Sequence, residues 1–393
     1  MHRMLLIFSC LALLSLGFAP YGDGEPGELR SRRKVSWDHF GSLSTIVAYD
    51  DFASSEASLH FETTWRIVYG MLTELEETLS VAVEGSDIHR FNAAAPGELV
   101  PVQPVTAKMV AMAQDMYAFT NGTYNPAVMH LVDLWGFSPR FGSRDYDVEP
   151  KPYDRPRNPN RSFDLPDEEY VAAFQQLADF SAVELIGCED TGYFLVKRLD
   201  DVEVRGERYS LAIDLGGLAK GYAAERAAEI LQERGYEFGM SDVGSSSLQL
   251  LKRPVATEGA PGLYQWGVHV GDPDEPARRY LTIYDQNTGV STSGTYLERY
   301  FLDGKEYSHI IDPAVGRPTT SRVVSATIVG GRASYIDAIT TGLAAMPIAD
   351  AIDFMESYLS EYKVVLLYRC EKDPAELCLA TNMDDRHLRI HER

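Results

Sequence analysis

The stretch Asp214-Leu-Gly-Gly-Leu-Ala-Lys-Gly-Tyr222 joins a predicted strand to a predicted helix in the middle of the chain. An acidic residue ends the strand, two glycines turn the chain, and Lys220 lies in the first turn of the helix. Free N–H groups at a helix start attract anions, and glycine lets a phosphate approach the backbone. The stretch is neither a P-loop nor a dinucleotide fingerprint. Taken alone, tight strand–helix packing with a solvated Lys220 explains it better than an anion site.

The apolar pattern around this stretch predicts a mixed fold. Helices are predicted over 55–79, 104–120, 166–179, 218–234, 334–346 and 348–360, with a short helix inside 121–137. Strands are predicted over 42–50, 193–198, 202–212, 238–243, 247–252, 265–270, 279–285, 288–293, 307–312 and 322–329, and a hairpin over 363–380. Residues 138–162 are rich in Pro, Arg, Asn and Asp, which predicts a surface loop or insertion. Because strands and helices do not alternate strictly, an α+β fold is favoured over a doubly wound sheet.

The composition describes a soluble, acidic, globular chain. It has 393 residues, of which 45% are hydrophobic and 24% charged. A chain of this length forms one large domain or two joined domains. Its composition excludes a disordered chain and a polytopic membrane protein. The chain has 36 Lys and Arg against 58 Asp and Glu, a net charge of −22. We expect no nucleic-acid partner, because such a chain repels a phosphate backbone and its one basic cluster is the short run 30–34.

The first residues predict export. Residues 4–19 are an apolar run after Arg3, with small residues before Pro20, so 1–19 are predicted to be a signal peptide cleaved after Ala19. The run is too short for a membrane-spanning helix. A lipid anchor at Cys10 is not favoured, because the residues before it fit a lipobox poorly. Residues 20–36 are predicted to be a flexible tether, and 37–393 a folded domain.

Cys370 and Cys378 flank a predicted turn between two apolar runs. Strand ends that face each other across a turn can hold a disulfide in an oxidising compartment. Two unpaired buried thiols explain the same spacing equally well, so both readings stay open.

Two further segments carry residues suited to chemistry. Asp337 and Thr341 lie four residues apart and share a helix face, and their oxygens suit a hard cation such as Mg²⁺. His309 follows an apolar run and stands shortly before the Asp312-Pro turn, where it is a candidate base or ligand. Either segment alone is explained better by ordinary structure: a common i, i+4 oxygen pair, and a satisfied core histidine.

Taken together and in order, these segments resemble the ApbE family of FAD:protein FMN transferases. The resemblance spans about Gly41 to the last hairpin. It rests on Ser86…Asn92, Thr123-Tyr-Asn-Pro…Leu134-Trp-Gly-Phe137, Asp214–Tyr222, Thr292-Ser-Gly294, His309-Ile-Ile-Asp-Pro…Gly316-Arg-Pro318 and Asp337-Ala-Ile-Thr-Thr341.

The resemblance implies a single domain with an FAD cleft between two lobes. It also implies Mg²⁺-dependent transfer of FMN from FAD to a threonine or serine hydroxyl of an exported partner, with AMP leaving. By position, Asp337, Thr341 and a backbone oxygen of Gly217 would hold Mg²⁺, and His309 is the candidate that helps deprotonate the acceptor. Residues that would contact FAD are Ser42, Ala82, Ser86, Thr123, Tyr124, Asn125, Asp214, Lys220 and Ile311.

Three residues depart from the pattern of the family. The family often has an aspartate at Asn125, an aromatic residue at Ala82, and glycine where Ser245 follows Gly244. Loss of the aromatic residue would weaken stacking on FAD unless Tyr49 or Tyr124 compensates. These departures keep open a flavin-binding protein without catalysis. A second alternative is a Mg²⁺-dependent FAD pyrophosphatase that yields FMN and AMP, which would differ from the transferase only in the access of an acceptor hydroxyl. The sequence names neither the acceptor protein nor the oligomeric state.

Overall fold

The computed structural model describes residues 29–52, 54–137, 165–254, 265–275, 277–296, 298–302, 304–384 and 388–391. The predicted signal peptide at 1–19, with Cys10, the first part of the predicted tether and the predicted loop at 138–162 lie outside these residues.

The described residues form eight α-helices and twenty strands. The helices are α1 Ser55–Leu79, α2 Asp87–Ala93, α3 Pro104–Phe119, α4 Met129–Leu134, α5 Glu168–Leu177, α6 Gly216–Glu233, α7 Ala333–Ala345 and α8 Ile348–Tyr358. The strands are β1 Arg30–His39, β2 Ser42–Asp50, β3 Val100–Val102, β4 Val183–Cys188, β5 Gly192–Lys197, β6 Val202–Val204, β7 Glu207–Tyr209, β8 Phe238–Val243, β9 Ser247–Leu250, β10 Trp266–Gly271, β11 Arg279–Asp285, β12 Thr288–Gly294, β13 Arg299–Leu302, β14 Lys305–Ser308, β15 Ile311–Asp312, β16 Arg317–Pro318, β17 Val323–Val329, β18 Lys363–Arg369, β19 Leu377–Thr381 and β20 Leu388–Ile390.

An eight-stranded antiparallel sheet lies at the centre, in the order β1-β2-β8-β9-β12-β17-β18-β19. Helices α6 and α7 pack against each other and against its central strands. The opposite face packs against the small sheet β10-β11-β20, and the apolar core between them includes Val47, Leu248, Val268 and Leu281. Segregated helices and antiparallel strands confirm the α+β prediction.

Helix α1 shows how the periodic pattern becomes a buried stripe. Ser54 caps its first turn, since its Oγ accepts a hydrogen bond from Ala57 N at 3.0 Å. Phe61, Val68 and Leu72 recur at helical spacing and are buried in the larger core. Leu59 falls outside this stripe and is 66% exposed.

The predicted tether at 20–36 is wrong over residues 30–36, because these residues belong to β1. The strand pairs with β2 from Arg30 opposite Asp50 to Ser36 opposite Ser44. The positively charged side chains of β1 lower the local hydropathy, so the sequence pattern did not predict a strand here. These charges are tolerated because β1 is an edge strand. Lys34 forms an ion pair with Glu62 at 2.7 Å.

Other predicted strands are divided in the structure. The predicted strand at 202–212 is the hairpin of β6 and β7, which turns at Arg205 and Gly206, both with positive φ. The predicted strand at 307–312 is interrupted between β14 and β15. The last hairpin is β18 and β19, and the chain then adds β20, which pairs with β11 and which we did not predict.

Cys370 and Cys378 form a disulfide bond across the β18–β19 hairpin, with Cα atoms 5.2 Å apart. The structure therefore decides between the two readings that the sequence left open. Cys188 is an exposed free thiol. Among the described helices, none has the length and apolarity that a membrane span requires.

Candidate functional site

The carboxylate of Asp337 lies at the crossing of α6 and α7 and accepts three hydrogen bonds. Gly221 N donates to Oδ2 at 2.9 Å, while the hydroxyls of Ser247 and Ser291 donate to Oδ1 at 3.0 Å and 2.8 Å. The residue is buried. Two strands and two helices therefore hold this side chain in one orientation.

Burial raises the pKa of Asp337, while the charge of Lys220 and the three hydrogen bonds oppose that rise. Burial outweighs these opposing interactions, so the net direction of the pKa shift is upward. Lys220, which the sequence singled out, thus lies close enough to Asp337 to act on its charge.

Glycine is required where α6 meets α7. A Cβ on Gly221 would lie 2.3 Å from the carbonyl oxygen of Ala333 and 2.8 Å from Cβ of Asp337. The close approach therefore leaves no room for a side chain at this point of α6.

Thr341 lies one turn after Asp337 on α7, as the spacing predicted. Its Oγ1 donates to the carbonyl oxygen of Asp337 at 3.1 Å and lies 3.2 Å from Ser293 Oγ. The position that a Cβ on Gly217 would take is 3.5 Å from Thr341 Oγ1. The structure therefore brings Asp337, Thr341 and Gly217 together.

Sequence reasoning missed the two hydroxyls that bond to this carboxylate, Ser247 on β9 and Ser291 on β12. Ser293 on β12 and Thr340 on α7, which lie inside the quoted motifs, bond to each other beside it. The alternation of Ser291 and Ser293 in a predicted strand was a signal for one polar face, but only the sheet register shows that this face meets α7. In the described part of the chain, no group of three or more His, Cys, Asp or Glu residues forms a metal cluster.

The stretch Asp214–Tyr222 leads into helix α6, which begins at Gly216. Asp214 Oδ1 accepts a hydrogen bond from Gly216 N at 2.8 Å, so a carboxylate of the chain itself caps this helix start. Asp214 N donates to the carbonyl oxygen of Pro126 at 2.9 Å. Asp214 therefore ties the helix to the segment that contains Thr123, Tyr124 and Asn125.

Asn92, part of the quoted motif, supports the same corner. Its side-chain amide bonds to both backbone groups of Ile213, accepting from N and donating to O, each at 2.8 Å. The buried Lys197 donates to the carbonyl oxygen of Asn92 at 2.9 Å. This chain of bonds fixes the backbone just before Asp214.

The segment 123–125 packs against α7 and α6. Thr123 Oγ1 donates to the carbonyl oxygen of Thr120 at 2.9 Å, and it lies 3.1 Å from where a Cβ on Gly342 would be. Asn125 caps the turn at Pro126–Val128 through Ala127 N at 2.9 Å and donates to the carbonyl oxygen of Ala178 at 2.9 Å. An aspartate could not make the second bond, which explains why this chain has asparagine here.

The ring of Tyr124 is buried, with 3% exposure, and its Cε2 lies 3.2 Å from the Cβ position on Gly217. It therefore offers no open face for a flavin. Tyr49 packs edge-on against Trp266, on the opposite face of the central sheet. Neither ring replaces the aromatic residue missing at Ala82.

Two expected FAD contacts lie in the loop between α1 and α2. Ser86 Oγ donates to the carbonyl oxygen of Ser80 at 2.7 Å and accepts from His89 N at 2.9 Å, so it caps α2. The proton of this hydroxyl is thus used within the fold, and its remaining hydrogen-bonding capacity is one lone pair. Ala82 is exposed, and its N–H donates to Ser80 Oγ at 3.2 Å.

Gly244 lies beside Lys220 and pairs with Leu43, so Ser42 and Ser245 are sequence neighbours of this contact. Gly244 N donates to the carbonyl oxygen of Leu43 at 2.8 Å, and a Cβ on Gly244 would lie 2.8 Å from Lys220 Cδ. Ser245 has a φ of +53° and donates its N–H to Asp242 Oδ1 at 2.9 Å. Glycine is thus retained at Gly244, where the aliphatic part of Lys220 contacts the backbone. Ser245 lies in the following turn, which the hydrogen bond to Asp242 stabilises.

His309 lies at the end of a row of packed rings. Trp135 stacks on Tyr307 at 5.6 Å between ring centroids, Tyr307 on Tyr300 at 5.3 Å, and Tyr300 on Phe137 at 5.3 Å. The ring of His309 lies 6.4 Å from Phe137. Trp135, Tyr307, Tyr300 and Phe137 are buried, so these four rings belong to the core.

The segment after His309 packs beside the C-terminal end of α7. Thr319 joins the two, since its N–H donates to the carbonyl oxygen of Ile310 at 2.8 Å and its Oγ1 to that of Ala345 at 3.3 Å. Ile311 is buried and pairs with Pro318. The His309 segment therefore approaches the helix that carries Thr341.

The comparison with known proteins agrees with this architecture. The model of the ApbE family matches residues 40–366, and the chain therefore belongs to the ApbE family. A protein of Klebsiella pneumoniae (strain 342) named FAD:protein FMN transferase is 30% identical over 277 residues, 70% of this chain and 69% of that protein. The protein of the same name from Escherichia coli (strain K12) is 30% identical over 68% of this chain and 66% of its own length.

Solved structures share the fold. The flavin transferase ApbE from Vibrio cholerae superposes with a TM-score of 0.69 and 22% identity, over 90% of this chain and 97% of that one. The ApbE protein of Thermotoga maritima gives a TM-score of 0.67 and 22% identity over the same shares. The family resemblance and the single-domain α+β fold are confirmed.

Proposed function

We propose that this protein is an exported, Mg²⁺-dependent transferase that moves FMN from FAD to a threonine or serine hydroxyl of a partner protein, with AMP as the leaving group. The observation that carries the proposal is the buried Asp337 carboxylate, oriented by three donors beside Thr341 and Gly217. It stands in a chain of the ApbE family whose relatives carry the name of this activity.

The donors at Asp337 fit Mg²⁺. A carboxylate, a hydroxyl and a backbone carbonyl are oxygen ligands, which this hard cation prefers. The Cβ position on Gly217 lies 3.5 Å from Thr341 Oγ1, so the backbone at Gly217 is close to the hydroxyl of Thr341. The bonds from Ser247, Ser291 and Gly221 would orient the carboxylate as outer-shell partners do in metal sites. Mg²⁺ bound there would supply charge stabilisation at the diphosphate oxygens of FAD.

Lys220 is our candidate for contact with a phosphate, because its charge acts on Asp337 and its stem passes Gly244. The other expected FAD contacts are Ser42, Ala82, Ser86, Thr123, Tyr124, Asn125, Asp214 and Ile311. The N–H of Gly216 is already capped by Asp214, so it is a poor candidate for the phosphate.

His309 is our candidate base for the acceptor hydroxyl. Its Nδ1 lies 3.2 Å from the carbonyl oxygen of Glu298, which can only accept a hydrogen bond. Nδ1 therefore carries the proton in the neutral ring, and Nε2 carries the lone pair. In the proposed step the acceptor oxygen forms a bond to the phosphorus of the FMN half. The bond from that phosphorus to the oxygen of AMP breaks, and the hydroxyl proton passes to His309.

Export is proposed from the apolar run at 4–19, which predicts a secretory signal. The disulfide between Cys370 and Cys378 supports it, because such bonds persist in oxidising compartments. We infer a periplasmic location, or one at the outer side of the inner membrane, and an exported or membrane-anchored acceptor.

The test uses residues 20–393 with FAD, with and without Mg²⁺, and a peptide that carries an acceptor threonine. AMP is followed by chromatography and covalent flavin on the peptide by mass. Flavin on the peptide only with Mg²⁺ is the expected result. Release of AMP and FMN without labelling of the peptide, or of an exported protein fraction offered as acceptor, would indicate the pyrophosphatase. FAD that binds but stays unchanged would indicate a binding protein.

A further inference from the structure

Tyr124 carries a buried hydroxyl whose hydrogen-bonding capacity is unused among the described residues. The side chain is buried, and its Oη has no partner in the described part of the chain. Buried polar groups are nearly always hydrogen-bonded, because an unmade bond costs stability. A hydroxyl that is kept there requires an explanation, since phenylalanine would fill the same volume without that cost.

The ring lies beside the proposed Mg²⁺ ligands. Its Cε2 is next to the carbon that bears the hydroxyl, and it lies 3.2 Å from the Cβ position on Gly217. Thr341 Oγ1 is 3.5 Å from that same position. A tyrosine hydroxyl carries its proton at neutral pH, since the ordinary pKa of a phenol is about 10. The hydroxyl is therefore available as a donor.

We propose that the Tyr124 hydroxyl donates a hydrogen bond to an oxygen that arrives with the ligands of this site. That oxygen belongs either to a water bound to Mg²⁺ or to the diphosphate of the nucleotide, since Mg²⁺ keeps waters and binds substrate phosphates. The inference rests on the proposed function, because it requires Mg²⁺ at Asp337, Thr341 and Gly217. It makes Tyr124 a binding residue through its hydroxyl, not through its ring face.

The experiment compares the wild-type protein with Tyr124→Phe. Calorimetry measures the binding of Mg²⁺ alone, and of Mg²⁺ together with ADP as the diphosphate probe. Chemical unfolding without ligands measures the stability of the apo protein. Tyr236→Phe is the matched control, because Tyr236 is another buried tyrosine but follows the far end of α6, whose 18 residues span about 27 Å.

We expect Tyr124→Phe to bind its ligand about five- to tenfold more weakly, the loss of one hydrogen bond, while its apo stability stays equal or rises. Weaker binding of Mg²⁺ alone assigns the acceptor to a metal-bound water, and weaker binding only with ADP assigns it to the diphosphate. Tyr236→Phe should bind both probes like the wild type.

Other outcomes overturn the inference. If Tyr124→Phe binds the probes as tightly as the wild type, the inference about the hydroxyl is wrong, whereas the proposed function is unaffected. A loss of apo stability in Tyr124→Phe means that the hydroxyl has an internal partner, which also removes it. If the wild type binds neither probe, or if Asp337→Ala binds them equally well, the proposed metal site fails and the inference fails with it.

Discussion

The backbone N–H of Gly221 on α6 donates to the carboxylate of Asp337 on α7 at 2.9 Å. This bond crosses the closest approach of the two helices, where a Cβ on Gly221 would collide with the carbonyl oxygen of Ala333. The packing of the helices and the orientation of the carboxylate are therefore one feature, and a change in helix spacing moves the candidate metal ligand.

Gly221→Ala should lower the free energy of unfolding by about 1–3 kcal/mol, because the added methyl group forces α6 and α7 apart. It should also weaken Mg²⁺ binding, since the bond to Asp337 is disturbed. Gly70→Ala is the control: Gly70 is exposed in α1 with open space at its Cβ position, and alanine there should stabilise by about 0.5–1 kcal/mol. Chemical unfolding and calorimetry measure both effects. Equal stability of Gly221→Ala and wild type would contradict the close approach.

Asp337→Ala should abolish Mg²⁺-dependent release of AMP from FAD while the protein still folds. We expect a loss of about 1–3 kcal/mol in stability, because Gly221 N, Ser247 and Ser291 lose their acceptor. Cys188→Ser, which changes an exposed thiol, should alter neither property. Circular dichroism follows the fold and chromatography follows AMP. Normal Mg²⁺-dependent turnover by Asp337→Ala would remove the metal assignment.

Asn125→Asp should destabilise the protein by about 1–3 kcal/mol, although the family often has aspartate at this position. The variant keeps the acceptor for Ala127 N but loses the donor to the carbonyl oxygen of Ala178 and buries a charge beside it. Asn121→Asp is the matched control, since Asn121 is exposed and aspartate tolerates its φ of +51°. Thermal unfolding at pH 7 compares the two. If Asn125→Asp unfolds like the wild type, the residue has no structural reason to be asparagine.

Asp242 should make stability depend on pH. Burial raises its pKa from 3.8 in the unfolded chain to about 7, despite the bond from Ser245 N and the charge of Arg33. Between these pH values the folded state holds one more proton than the unfolded state, so the free energy of unfolding falls as pH rises from about 4 to about 7. The contribution is on the order of 4 kcal/mol.

Asp242→Asn keeps an acceptor for Ser245 N and removes the titration, so its stability relative to wild type should rise between pH 5 and pH 8. Asp353→Asn, at an exposed position on α8, controls for the loss of one charge. Urea unfolding at both pH values measures the difference. Parallel pH profiles for wild type and Asp242→Asn would show that this carboxyl does not titrate as described.

The sequence predicted those parts of the molecule that depend on local periodicity. The apolar spacing in 55–79 reproduced α1, and the i, i+4 spacing of Asp337 and Thr341 placed both on one face of α7. The sequence did not predict β1, because its positively charged residues are unfavourable for a strand when only local sequence is considered. Pairing with β2 compensates for them.

From sequence alone, a residue of the candidate site could be predicted only when its type is unusual among its neighbours in the chain. A carboxylate in an apolar helix is conspicuous, whereas Ser247 and Ser291 are ordinary strand residues until the register of β9 and β12 places both against Asp337. The capping bonds of Ser86 and Asp214 depend on local geometry that spacing does not encode. For these residues the resemblance to a family suggested ligand contacts, and the structure revealed bonds within the fold.

The sheet β10-β11-β20 has a consequence for biosynthesis. Strand β11 ends at Asp285, and its partner β20 begins at Leu388, so the ribosome must add about a hundred residues before this sheet can close. The central sheet likewise pairs β2 with β8, far apart in the chain. Such non-local pairing delays folding. A nascent chain of this topology can complete the sheet only after Leu388–Ile390 has been synthesised, so a large part of the chain must wait for its last pairing partner.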